Sequence, residues 1–120
     1  MYQRVLAIDP DQVNTLYNYG ILLKKRGDLV AAEAMYQRVL AIDPDHIITL
    51  GNYGVLLNER GDLAAAEAMY QRVLAIDPDD VITLGNYGIL LKKRGDIAAA
   101  EAMYQRVLAI DPDHVNTLCN

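Results

Sequence analysis

Apolar residues recur along this chain in two alternating helical phases. Leu50, Tyr53, Gly54 and Leu57 fall at i, i+3, i+4 and i+7, one face of a helix. Gly61 follows as a stop signal and Asp62 as an N-cap. A second phase then begins, with Ala66, Met69, Tyr70, Val73 and Leu74 on one face. Pro78 closes it, because the proline ring and its missing N–H interrupt the hydrogen-bond ladder. Asp79 or Asp80 can cap the helix that follows.

This pattern repeats every 34 residues, as Met1, Met35, Met69 and Met103 show, and again Pro10, Pro44, Pro78 and Pro112. The period predicts first helices over 14–26, 48–60 and 82–94, and second helices over 29–42, 63–76 and 97–110. Full units are expected at 13–46, 47–80 and 81–114, inside one array spanning 1–120. Residues 1–12 read as a partial repeat whose segment 1–8 is an orphan second helix, and 115–120 as the start of another first helix. The first and third units match at 30 of 34 positions, the second and third at 28, the first and second at 26. Units this uniform read as recent tandem duplication or as human design.

The spacing resembles the tetratricopeptide repeat, a helix–turn–helix unit with Trp-x2-Leu-Gly-x2-Tyr, then Ala-x3-Phe, then Pro. The middle unit gives Leu50-x2-Tyr53-Gly54-x2-Leu57, then Ala66-x3-Tyr70, then Pro78. The outer units give Leu16, Tyr19, Gly20, Leu23, Ala32, Tyr36 and Pro44, and Leu84, Tyr87, Gly88, Leu91, Ala100, Tyr104 and Pro112. The departures exchange one large apolar residue for another. The resemblance implies an all-α right-handed solenoid of antiparallel helix pairs. The small residues Gly20, Gly54 and Gly88 should let helices approach, and contact must offset the roughly 1 kcal/mol cost of a helical glycine. One unit cannot bury its own apolar face, so stability comes from stacking.

Composition narrows the function. Apolar residues make up 52% of the chain, too many for a disordered polyelectrolyte. No apolar run approaches the length of a membrane span, and no signal peptide opens the chain. The net charge of −5 argues against general nucleic-acid binding. A single cysteine, Cys119, makes no internal disulfide, so a reducing, cytoplasmic setting is expected. There is no Ser, Cys119 has no His nearby in sequence, and His46 and His114 lie two periods apart. No catalytic constellation, cofactor motif or metal site is therefore expected. Asp43-Pro44-Asp45-His46 reads as a capped turn rather than a ligand set. The tripeptide Arg26-Gly27-Asp28 and its copies read as a helix stop and start, and Gly51-Asn52-Tyr53-Gly54 as helix interior.

The recurring Asn18, Asn52, Asn86 and Asn120 are the most informative polar set, since Asn is a mediocre helix former. Resemblance to arrays of the glycosyltransferase that modifies nuclear and cytoplasmic proteins implies an asparagine ladder on the concave face. Such amides offer both donor and acceptor to the backbone of an extended peptide. Bonds from each Asn to a neighbouring helix are the alternative. Around the ladder lie Ile48 and Ile82, Tyr17, Gly51 and Gly85, and Ile21, Val55 and Ile89. Lys24 and Lys92, in basic triplets at first-helix ends, suit either the helix dipole or an acidic peptide. The cation places of the chaperone-tail-binding subgroup hold Gly, Val and Ile here, against that ligand. The expected function is a non-enzymatic scaffold for an extended peptide or partner helix. The alternative is a repeat module that stacks head to tail through uncapped ends.

Overall fold

In a computed structural model, residues 10–112 are described. They form six helices: α1 Pro10–Lys25, α2 Leu29–Ile42, α3 Ile47–Glu59, α4 Leu63–Ile76, α5 Val81–Lys93 and α6 Ile97–Ile110. The segments expected as helix at 1–8 and 115–120 lie outside these residues, as do His114, Cys119 and Asn120. The helices pack as antiparallel pairs, α1 on α2, α3 on α4 and α5 on α6, and the pairs stack into a right-handed solenoid 49 Å long.

The second helices occupy the expected spans. α3 and α5 begin and end one residue earlier than expected. The larger difference is α1, which begins at Pro10 rather than near residue 14. A proline's fixed φ suits the first turn of a helix, where no intrahelical donor is needed. Its repeat partners Pro44 and Pro78 instead lie in turns, where Asp43 and Asp77 accept from Asp45 and Asp79 backbone N–H groups at 3.2 and 3.1 Å.

The turns are set by side chains. Asp28, Asp62 and Asp96 cap the second helices by accepting from the N–H groups of Ala31, Ala65 and Ala99 at 3.2–3.3 Å. Gly61 precedes its cap at φ +85°, a left-handed conformation that L side chains rarely adopt, and Gly27 and Gly95 repeat it. His46 caps α3, accepting at Nδ1 from the Thr49 N–H at 3.3 Å, with the Thr49 hydroxyl 2.7 Å from the same nitrogen. At the matching place in α5, Asp80 accepts from the Thr83 hydroxyl at 3.1 Å.

Within each pair, glycine sets the approach. A Cβ built on Gly54 would stand 2.5 Å from the Tyr70 ring, and one on Gly88 2.5 Å from Tyr104. The ring of the second helix thus lies close against bare backbone of the first. Tyr36 and Tyr70 are fully buried, with Ala32 and Ala66 beside them in one apolar cluster. Between pairs, Tyr36 tilts against Tyr53 and Tyr70 against Tyr87, with ring centres 6.2 and 6.1 Å apart.

Polar side chains repeat across each junction. The Tyr53 hydroxyl donates to Glu33 at 2.7 Å and accepts from Gln37 at 3.0 Å, while Arg60 donates to the other Glu33 oxygen. One period on, Tyr87 donates to Glu67 at 2.7 Å, Gln71 donates to Tyr87 at 3.1 Å, and Arg94 donates to Glu67 at 2.8 Å. Burial, and then the bond to the glutamate, raise both phenol pKa values above 10.0.

Candidate functional site

First helices touch one another directly at α3 and α5. Between them lies a cavity of about 310 Å³, lined by Ile47, Ile48, Gly51, Asn52, Val55, Asp80, Ile82, Thr83 and Asn86. Five expected groove residues meet there: Asn52, Asn86, Val55, Ile48 and Ile82. Ile48 and Ile82 are 59% and 70% exposed, an unusual state for β-branched apolar side chains. Val55 and both amides are half-buried.

Gly51 makes the room. Gly51 has no side chain, and a Cβ there would come no closer than 4.0 Å to the Thr83 hydroxyl. The period puts Tyr17 at the same place one unit earlier, and there the space is filled. The Asn52 amide donates to the Tyr17 hydroxyl at 2.8 Å, across the junction between repeats. Tyr17 also lies against Tyr36 and His46, with ring centres 6.5 and 5.9 Å away. The ladder is therefore uneven. Asn18 is exposed, Asn52 is held by a neighbouring repeat, and Asn86 faces a cavity with no tyrosine. For Asn52 the bond to a neighbouring helix is the observed one.

Other expected groove residues fall outside this cavity. Ile21 and Ile89 are half-buried at the matching places in α1 and α5. Lys24 pairs with Glu59 at 3.2 Å, and Lys93 donates to Asn58 at 3.1 Å. The basic triplets are thus partly spent on the next or preceding repeat, through residues that the middle unit alone carries. Lys92 is exposed at the end of α5 and lines a separate depression against α6. Ile47 and Thr83 were not singled out from the sequence, and Asp80 was expected only as a helix cap. Their signal was the i, i+3 spacing of Asp80 and Thr83, which places a helix-cap carboxylate at the rim of the groove.

Among the described residues no group of three or more His, Cys, Asp or Glu side chains is placed to hold a metal ion. Nor is any helix there long and apolar enough to cross a membrane.

Comparison with known proteins agrees with this architecture. The family profile described as Tetratricopeptide repeat matches residues 11–79 and again 45–113. No curated protein sequence matches the chain. Among solved structures, the first tetratricopeptide domain of Spaghetti (RPAP3), bound to the HSP90 peptide SRMEEVD, is similar with a TM-score of 0.87 at 18% identity. That match covers 95% of this chain and 90% of the other. An O-GlcNAc transferase mutant from Thermobaculum terrenum gives 0.83 at 26% identity, covering 92% of this chain but 21% of the enzyme. YrrB, described as a tetratricopeptide protein with an unusual peptide-binding site, gives 0.83 at 22% identity, covering 89% of this chain and 55% of its own.

Proposed function

Since this chain belongs to the tetratricopeptide repeat family, we propose that it is a non-enzymatic scaffold that holds an extended peptide across α3 and α5. The observation that carries this reading is the cavity over Gly51, apolar on its floor and edged by two carboxamides. A bulky apolar side chain of the peptide fills the space above Gly51, against Val55, Ile48 and Ile82. Asn86 bonds the peptide backbone beside it, since a carboxamide matches both the N–H and the C=O of a peptide unit. Asn52 contributes its remaining carbonyl oxygen while its N–H group stays with Tyr17. A cytoplasmic setting belongs to the same reading and rests on the lone cysteine.

Two similar structures are described with peptides or peptide sites, which supports a peptide as ligand. The ligand class differs from that of the HSP90 peptide. By the resemblance, the carboxylate-clamping cation places near Asn52 and Asn86 hold Gly, Val and Ile here, so a free acidic C-terminus gains little. The test is a selection from a random twelve-residue peptide library on the whole chain, followed by calorimetry. Peptides with a central large apolar residue are expected, and Asn52→Ala with Asn86→Ala should weaken them about tenfold or more, the loss of one to two hydrogen bonds. Equal affinity for parent and double variant would end the proposal.

A further inference from the structure

The α1–α3 junction and the α3–α5 junction are built from matching positions one period apart. In the first, the Tyr17 side chain occupies the space beside Asn52, and the Asn52 amide donates to the phenol oxygen at 2.8 Å. The His46 ring lies against the Tyr17 ring, with centres 5.9 Å apart. In the second, Gly51 stands in the place of Tyr17, Asn86 in the place of Asn52 and Asp80 in the place of His46. All three line the cavity of about 310 Å³, together with the exposed Ile48 and Ile82. A Cβ on Gly51 would meet nothing nearer than the Thr83 hydroxyl at 4.0 Å, so a ring has room there. The first junction therefore displays the side chain that these positions accommodate and the group that the amide bonds.

We propose, resting on the peptide reading above, that the side chain received over Gly51 is a tyrosine of the ligand. The ligand supplies there what Tyr17 supplies one repeat earlier. Its phenol oxygen accepts from the Asn86 amide, and its ring lies against Ile48, Val55 and Ile82. A carboxamide carries two N–H donors and an oxygen, so one N–H on the phenol leaves the Asn86 oxygen for a backbone N–H of the peptide. Phenylalanine or leucine would fill the same space but set the half-buried Asn86 donor against carbon, and a donor deprived of both water and partner is costly. Among the described residues that line the cavity, Asp80 alone is charged, and its Oδ2 accepts from the Thr83 hydroxyl at 3.1 Å. A carboxylate thus stands beside the anchor where His46 stands beside Tyr17. A phosphotyrosine carries about −1.5 to −2 charge at neutral pH, and like-charge repulsion and desolvation exclude it. The ligand is therefore a peptide with an unphosphorylated tyrosine anchor.

Para-cresol, the tyrosine side chain without its backbone, tests the site apart from any peptide. In nitrogen–proton NMR titrations of the whole parent chain, it should shift the Asn86 side-chain amide and the Gly51 backbone amide together. Gly51→Tyr should abolish the binding, and Asn86→Ala should weaken it about fivefold, the loss of one hydrogen bond. Circular dichroism should show parental helix content in both variants. In the peptide arm, library-selected peptides should carry tyrosine as the anchor. Replacing that tyrosine with phenylalanine should weaken binding about fivefold on the parent and leave it unchanged on Asn86→Ala. Phosphorylating it should weaken binding about tenfold or more. Para-cresol that leaves Asn86 and Gly51 unmoved, or that binds Gly51→Tyr as it binds the parent, overturns the proposal. So do selected peptides anchored by leucine, isoleucine or phenylalanine, a result under which the peptide scaffold itself stands. Para-cresol that binds as described while the library yields no peptide upholds the tyrosine site and ends the scaffold reading instead.

Discussion

The Asn52 carboxamide donates to the hydroxyl of Tyr17, 2.8 Å away and 35 residues earlier in the chain. This bond ties a ladder residue of one repeat to the preceding repeat. One period later, Gly51 replaces the tyrosine, and the same space is a cavity beside Asn86. Two nearly identical repeats thus differ in whether the groove is filled from within. That difference rests on a single position, Tyr17 in one repeat and Gly51 in the next.

That contrast predicts the effect of Gly51→Tyr. The new ring should fill the cavity and bond Asn86 as Tyr17 bonds Asn52. Replacing a helical glycine adds roughly 0.5–1 kcal/mol of stability. Chemical denaturation should show the gain, while any peptide selected on the parent loses its binding.

Gly54, three residues along the same helix, should respond in the opposite direction. Gly54→Ala improves helix propensity but puts a Cβ 2.5 Å from the Tyr70 ring, inside a closed core. Overpacking of this kind costs about 1–3 kcal/mol, more than the propensity gain. The denaturation midpoint should fall, and Tyr70→Leu in the same chain should recover part of the loss. A rise in the midpoint would contradict the packing described.

The hydroxyls of Tyr36 and Tyr70 are buried with no hydrogen-bond partner, and burial pushes both phenols up to about 12. The family pattern has Phe at this place. An unpaired buried hydroxyl costs about 1–3 kcal/mol, so Tyr36→Phe with Tyr70→Phe should raise the thermal midpoint. The raised pKa also fixes the sign of a pH effect. Folding holds these phenols neutral, so stability is intact below the unfolded value of 10.0 and lost as pH rises toward 12. The double variant should unfold at higher pH than the parent in an alkaline titration.

The junction networks give a further expectation. Tyr53→Phe removes the donor to Glu33 and the acceptor for Gln37 while keeping the ring. The loss should be about 1–2 kcal/mol in denaturation. Tyr19→Phe, at the matching place in α1 where the side chain is 49% exposed, should cost less.

Much of this fold was legible in the sequence because one repeat states it three times. The period, the Asp28, Asp62 and Asp96 caps, and the close helix approach at Gly20, Gly54 and Gly88 follow from spacing and residue size alone. The start of α1 at Pro10 did not follow, because a proline can end one helix or open another, and the context decides. The groove was legible as a set of columns, but not as a cavity. Column logic treats Asn18, Asn52 and Asn86 as equivalent. The Tyr17 hydroxyl reaches across a junction and makes them unequal, a reach that spacing along the chain does not contain. The lysines were ambiguous for a similar reason. Lys24 meets Glu59, a residue of the one unit that breaks the basic pattern.

The proposed ligand is a peptide that lies across α3 and α5 with an apolar side chain over Gly51. Its most direct test is a nitrogen–proton NMR titration of the whole chain with a library-selected peptide. The Asn86 side-chain amide and the Gly51 and Gly85 backbone amides should shift together, saturating with the calorimetric affinity. Signals of Gln71 and Glu67 on the second helix should stay in place. Shifts that centre on α2, α4 and α6 and leave Gly51 and Asn86 unmoved would contradict it.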